Sequence, residues 1–357
     1  MIISRTPYRI SLFGGGTDFP SWYRRHGGAV IAATIDKYCY LSARYLPPFF
    51  DHKYRVVWSK IEYCKQVEEI THPAVRAVIQ HLEMTRGLEI STVGDLPARS
   101  GMGSSSAFTV GLLKALHGLN GRMVHKYDLA MEAIHLEQNV LKEAVGSQDQ
   151  VSAAYGGLNK IDFFPNGEIS VVPVTVPPER IRELESHLML FYTGIKRTSS
   201  EVTKKFVDDI QAKKRQLRIM RDLVEESLEI LNSRHDITAL GELLHEAWDT
   251  KRGFSTMVSN PEVDNIHASA IEAGAIGGKL TGAGGGGFLL LFVPPAKQKD
   301  VCAALKHFIH VPFRFEFSGS QIIFSDSQVS VGLPAEGPSL ENLSRFKELE
   351  EVTPSPK

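Results

Sequence analysis

Cysteine is scarce: Cys39, Cys64 and Cys302 are the only three in 357 residues, far apart and in no CxxC pair. That excludes a disulfide framework and a cysteine zinc site, and fits buried thiols in a reducing compartment. Long apolar runs are missing too. The most apolar, FLLLFV from Phe288 to Val293, is far too short to span a bilayer. The opening MIISRTPYRISLFGGG has no secretory h-region, so a cytoplasmic location is expected. Neither sign of charge dominates. Forty Lys+Arg against 41 Asp+Glu leave a formal net charge of −1, with no global attraction to nucleic acid or acidic membranes.

What is present describes a globular chain, 43% hydrophobic and 23% charged, and long enough for two domains. YRISLF, AVIAATI and CYLSARYL read as strands, HPAVRAVIQHLEMT as a helix, and LEISTVGDLP as a strand entering a glycine loop. Helical spacing runs from Ser104 to about Leu119, across YDLAMEAIHLEQNVL, and again from Ser147. A hairpin follows, turning at Pro165-Asn166-Gly167. Past Pro177-Pro178 come a strand (HLMLFYTG), a helical region from Ser199 to Asn232, and helices ITALGELLHEAWDTKR and EVDNIHASAIEAG. A glycine loop, strand FLLLFV, helix QKDVCAALKHFI and strand FRFEFS complete an α+β pattern. The expected division is 1–170 and 171–325, with 326–357 an extended or flexible tail rich in Pro, Ser and Glu.

Two nucleotide signatures are excluded. GAGGGG (Gly282 to Gly287) satisfies GxGxxG, but the pattern places a helix before it and a strand after, the reverse of a dinucleotide fingerprint. GGKL places Leu280 where a P-loop needs Ser or Thr. Three other features stand out: SLFGGGTDF, RSGMGSSSA and KLTGAGGGGF, each glycine-rich and bordering a strand or helix end. In the middle one, Gly101 and Gly103 permit tight bends, and Ser104, Ser105 and Ser106 suit a helix start. Its free N–H groups and positive dipole end make an anion site, the alternative being an ordinary loop-to-helix turn.

In order and wording these segments resemble the GHMP kinases, over about residues 3 to 318. PYRISLFGGGTD, GSQDQVSAAYGG and KLTGAGGGGFLLLF look most like the bacterial heptose 7-phosphate kinases, with fucokinase domains as the competing branch. The resemblance implies a two-domain α+β GHMP kinase fold, ribosomal-protein-S5-domain-2-like then ferredoxin-like. It also implies ATP and Mg²⁺ as cofactors, and transfer of a phosphoryl group to the anomeric oxygen of D-glycero-D-manno-heptose 7-phosphate. A small sugar phosphate is then the partner, with no nucleic acid or membrane, for a monomer or homodimer. Another sugar such as L-fucose, or a nonenzymatic sensor on the same scaffold, is the alternative.

Carried over residue by residue, the resemblance implies a triphosphate held by Arg99, Ser100, Gly101, Met102, Gly103, Ser104, Ser105 and Ser106. Arg99 departs from the family's usual glycine. Ser105 and Glu137 are the implied Mg²⁺ ligands, although Glu137 also reads as a solvated helix glutamate. Asp149 is the expected catalytic base, or else a helix cap. Arg9 would stabilise spreading transition-state charge and pair with Asp149, or is a plain strand arginine. Gly15, Gly16, Thr17 and Asp18, with Gly284 and Gly285, are expected at the substrate. Lys196 and Arg197 precede the capping-box spacing Thr198-x-x-Glu201, and are either a second anion site or a solvated basic corner.

Overall fold

The computed structural model describes residues 1–47, 49–195, 199–255 and 257–326. β-Branched and aromatic runs build a first sheet from β1 (Ile2–Phe13), β2 (Gly28–Tyr45), β3 (Tyr54–Val57), β4 (Ile61–Cys64), β5 (Leu88–Gly94), β6 (Leu158–Phe163) and β7 (Ile169–Pro173). A second sheet holds β8 (Leu188–Tyr192), β9 (Gly277–Leu280), β10 (Phe288–Phe292) and β11 (Ile309–His310), in the order β11-β8-β10-β9. The last strand, β12 (Gln321–Ser325), returns to the first sheet and pairs with β1. The first sheet then runs β12-β1-β2-β5-β3-β4, with β6 on the first half of β2 and β7 beyond it. Among the described residues only the β3–β5 pairing is parallel.

β1 positions the site. Helices Ser104–Leu119 and Lys214–Asn232 both pack on β1 and β2, so β1 is buried continuously from Thr6 to Phe13. Polar groups in such a strand are the informative exceptions. Arg9 and Ser11, two residues apart and hence on one face, are such exceptions, and both line a cleft. The register of β1 against β2 shifts between Pro7 and Arg9 and between Ser11 and Phe13. Such bulges re-aim side chains beside active sites.

Several elements differ from their sequence signal. β3, β4 and β9 are short strands with weak patterns, and helices Pro20–His26 and Pro178–His187 begin at prolines that read as loop punctuation. The helical stretch from Ser199 is interrupted by a 3₁₀ turn at Ile210–Lys213. FRFEFS is not a strand: within it only Phe315 makes an isolated bridge, to Ile35. The buried Glu316 carboxylate accepts the N–H groups of Ser318 (2.7 Å) and Gly319 (3.0 Å), turning the chain away from extension. A strand, β9, also precedes the GAGGGG loop where a helix was expected. A strand nevertheless follows that loop, so the dinucleotide fingerprint remains excluded.

Candidate active site

The middle glycine loop ends at Gly103, which caps helix Ser104–Leu119 in the left-handed region (φ 71°) without a side-chain cap. The first-turn N–H groups of that helix have no helical acceptors and point back into the loop. A Cβ on Gly103 would lie 3.1 Å from Arg9 Cγ and 3.4 Å from Asp149 Oδ2, so the loop sits directly over this pair. Arg9 donates to both Asp149 oxygens at 2.7 Å and to the Gly101 carbonyl at 2.8 Å. One guanidinium thus ties the loop to the carboxylate. Arg9 is buried, whereas Asp149 leaves 25% of its side chain open to the cleft. Arg99 holds φ 58°, a left-handed conformation that costs a side-chain-bearing residue roughly 1 kcal/mol. The glycine usual at this position would meet the same backbone demand without that cost.

The third glycine loop packs on the middle one without intervening side chains. A Cβ on Gly282 would fall 2.5 Å from Gly101 Cα, and one on Gly287 2.2 Å from the Ser100 carbonyl. Beneath the contact lie two buried lysines. Lys251 Nζ donates to the carbonyls of Leu280 (2.9 Å) and Gly282 (2.5 Å), and Lys279 Nζ to that of Leu12 (2.7 Å). Burial, with Arg9 nearby, pulls Lys251 down to about 7. Burial, with Lys251 and Arg9 nearby, pulls Lys279 well below the lysine range.

Glu137 lies on a π-helical turn, Leu136–Val140, that continues helix Lys126–His135 and leaves the carboxylate fully buried behind the serine loop. Ser106 Oγ donates to its Oε2 at 2.9 Å, Gln150 Nε2 donates to the same oxygen, and Oε1 has no partner among the described residues. Burial pushes Glu137 up to about 7, against the polar side chains of Thr109, Gln150 and Ser106, which favour the charged form. A buried carboxylate with an orphaned oxygen beside a hydroxyl suits a hard divalent cation such as Mg²⁺. No group of three or more His, Cys, Asp or Glu that could hold a metal occurs among the described residues.

The cleft, whose volume is about 210 Å³, is also lined by Gly15, Gly16, Asp18, Ser11 and Gln148. Asp18 is buried, accepting the Gly16 N–H at 3.0 Å and the Gln148 N–H at 3.4 Å. Burial, then the neighbouring Asp149, push Asp18 above the ordinary carboxyl value, while those N–H groups pull it back. Ser11 Oγ and Gln148 Oε1 have no protein partner among the described residues. Phe206 and Phe254, stacked at 4.9 Å, add an apolar side that closes over Gly16.

Of the expected residues, Arg9, Asp149, Asp18, Gly15, Gly16, Arg99, Gly101, Gly103, Ser104, Ser105 and Ser106 line this one cleft. Others do not. Ser100 and Met102 are buried outside the lining, and the Met102 carbonyl accepts the Arg9 N–H. Thr17 Oγ1 bonds the Gly14 and Ala29 carbonyls and serves the turn. Gly284 and Gly285 pack against Val258, and Gly282 and Ala283 line the cleft instead. The hydroxyl on Glu137 is that of Ser106, whereas Ser105 is exposed at the cleft mouth. Lys196 and Arg197 lie outside the described residues. Ser11, Gln148, Lys251 and Lys279 were missed. Ser11 had a signal in its two-residue spacing from Arg9.

A helix start with unpaired N–H groups, an Arg–Asp pair beneath it and a cleft beside both form an arrangement that suits a phosphotransferase with a hydroxyl acceptor. The family model for the GHMP kinases N terminal domain matches residues 67–157, and that for GHMP kinases C terminal matches residues 220–310. The chain belongs to the GHMP kinases and has their two-domain α+β fold. It is 28% identical to a D-glycero-alpha-D-manno-heptose 7-phosphate kinase of Campylobacter jejuni, over 85% of this chain and 93% of that protein. It is 26% identical to a galactokinase of Pyrococcus furiosus, over 85% and 92% respectively. The fold superposes with TM-score 0.75 on a D-glycero-D-manno-heptose 1-phosphate kinase of Bacteroides thetaiotaomicron, at 24% identity, covering 92% of this chain and 100% of that one. Among the described residues no helix is long and apolar enough to cross a membrane.

Proposed function

We propose that this chain is an ATP- and Mg²⁺-dependent sugar kinase that phosphorylates the anomeric hydroxyl of D-glycero-D-manno-heptose 7-phosphate. The observation that carries the kinase chemistry is Arg9, hydrogen-bonded at once to both Asp149 oxygens and to the Gly101 carbonyl. It supports reading Asp149 as a proton acceptor beside a phosphate-binding loop. The choice of sugar is supported by the likeness to the Campylobacter heptose 7-phosphate kinase.

In this reading the N–H groups of the 101–105 loop and the dipole of helix Ser104–Leu119 offset the charge of the nucleotide phosphates. Asp18, Ser11 and Gln148 take sugar hydroxyls, and the Phe254 side excludes water. Asp149 accepts the proton of the attacking hydroxyl. The new oxygen–phosphorus bond forms as the bond to the leaving nucleotide oxygen breaks, and Arg9 stabilises the charge spreading over the phosphoryl oxygens. Glu137 and Ser106, with Ser105 at the loop mouth, would hold Mg²⁺, which when bound neutralises phosphate charge.

Screening heptose 7-phosphate, mannose, L-fucose and galactose with labelled ATP tests the reading, with product regiochemistry read by phosphorus NMR. The expected result is preferential labelling of heptose 7-phosphate at the anomeric oxygen. Preference for an unphosphorylated sugar would replace the heptose reading, and no ATP-dependent transfer would end the kinase one. Arg197→Ala should raise KM for the sugar phosphate far more than for an unphosphorylated sugar.

Glu137 gives a pH prediction. With the folded carboxyl at about 7, binding Mg²⁺ below that pH must expel a proton. Apparent Mg²⁺ affinity should therefore fall by up to about tenfold per pH unit between pH 7 and 5, and Glu137→Gln should abolish this dependence. For stability the sign is the opposite of a salt-bridged carboxylate. The folded pKa lies above the ordinary 4.5, so metal-free stability falls as pH rises from 4.5 through 7. Calorimetric Mg²⁺ titrations and thermal melts across that window check both statements.

A further inference from the structure

Helix Thr238–Arg252 buries Leu240, Leu243, Leu244, Ala247 and Trp248, a 3–4 spacing that makes one apolar stripe. Lys251 falls next on that stripe, at a core position, and is 8% exposed. Lysine at such a position is costly unless something offsets its charge. Among the described residues no carboxylate pairs with it. An ammonium has three N–H groups, and the carbonyls of Leu280 and Gly282 account for two.

The charges facing it make the imbalance worse. Arg9 approaches from β1 and acts on Lys251 as a like charge, while Lys279, from β9, feels both. Asp149, which lines the same cleft, is engaged by Arg9. On its own helix, Asp249 is close to His245 and Arg252 on the solvent side. Lys251 is among the residues that line the cleft, and its two carbonyl partners leave a third N–H unassigned. Its position along the cleft is also informative. Gly282, which Lys251 holds, abuts Gly101, whose carbonyl is held by Arg9. The ammonium is thereby linked, through Gly282 and Gly101, to the part of the loop that Arg9 and Asp149 hold.

We infer that Lys251 binds the terminal phosphoryl group of the nucleotide, donating its free N–H to an oxygen of the group in transit. This rests on the kinase reading, and gives the third glycine loop a role: to hold that ammonium where its two carbonyls fix its direction. Lys251 is then a binding residue selective for a nucleoside triphosphate over a diphosphate. Because burial and Arg9 hold Lys251 at about 7 in the free enzyme, binding the phosphoryl group above that pH draws a proton from solution.

Calorimetry with a non-hydrolysable ATP analogue and with ADP tests this on the wild type, Lys251→Met and Lys251→Arg. Lys251→Met should weaken analogue binding at least tenfold and ADP binding no more than about twofold. Wild-type affinity for the analogue should decline above pH 7 by up to tenfold per unit. Lys251→Arg, whose charge does not titrate, should keep the triphosphate preference and lose that decline. Equal weakening of both nucleotides, or an unchanged pH slope in the arginine variant, would assign Lys251 to loop anchoring alone and overturn the inference. Should the methionine variant not fold, the comparison of wild type with the arginine variant decides. A wild-type protein that binds neither nucleotide would defeat the kinase reading itself, a different result.

Discussion

Asp149→Asn is expected to lower kcat by roughly three orders of magnitude while leaving affinity for an ATP analogue within about twofold. The side chain is nearly isosteric and its oxygen can still accept from Arg9, so the cleft keeps its shape. What disappears is the oxygen able to take the hydroxyl proton as the bond to phosphorus forms. A secondary cost falls on stability. Arg9 is 4% exposed, and removing the charge it faces leaves a buried cation poorly compensated, which costs up to about 3–5 kcal/mol when a partner is lost outright. Turnover and affinity should therefore be measured well below the variant's melting temperature. Parallel loss of binding and rate would make Asp149 a structural residue.

Gly101→Ala is expected to be damaging for a different reason. Gly101 has φ 83°, where a Cβ costs roughly 1–2 kcal/mol. That Cβ would stand 2.6 Å from the Thr281 carbonyl, and the next residue, Gly282, packs so tightly on Gly101 that it too has no room for a Cβ. Overpacking against backbone adds roughly 1–3 kcal/mol, because no flexible side chain can yield. The loops must part, carrying the Arg9 contact to the Gly101 carbonyl with them. A displacement of about 1 Å at a phosphate site costs on the order of 100-fold in rate. Thermal melts and kcat should both fall, and a variant that kept its melting temperature and full turnover would show that contact between the loops is unnecessary.

That the middle glycine loop, Arg9, Asp149 and Asp18 meet in one cleft was legible because their signals are local. Glycines mark positive φ, and the arginine and both aspartates fall inside the short motifs that carry the family resemblance. Lys251 and Lys279 were not, since their meaning depends on helix Thr238–Arg252 and β9 meeting β1 in space. Lys251 did leave a trace, a charge where the 240–248 stripe calls for an apolar residue. β9 was camouflaged by its own glycines. Gly277 is required because a Cβ there would lie 2.0 Å from the Gly241 carbonyl, but in sequence the same letter reads as loop. Glu137 read as a possible surface residue because an uninterrupted 3.6-residue helix does not anticipate the π turn that buries it.

β12 is the only strand beyond β11 among the described residues, and it clasps β1 with Ile2 opposite Ser325. The beginning of the chain is thereby stitched to a segment made after the whole second sheet. During synthesis β1 has to wait with its outer rim bare until some three hundred further residues have emerged. A fragment ending near residue 170 would keep that rim exposed for good, so the two halves are better pictured as a loop of chain closed by its own hem than as beads on a string.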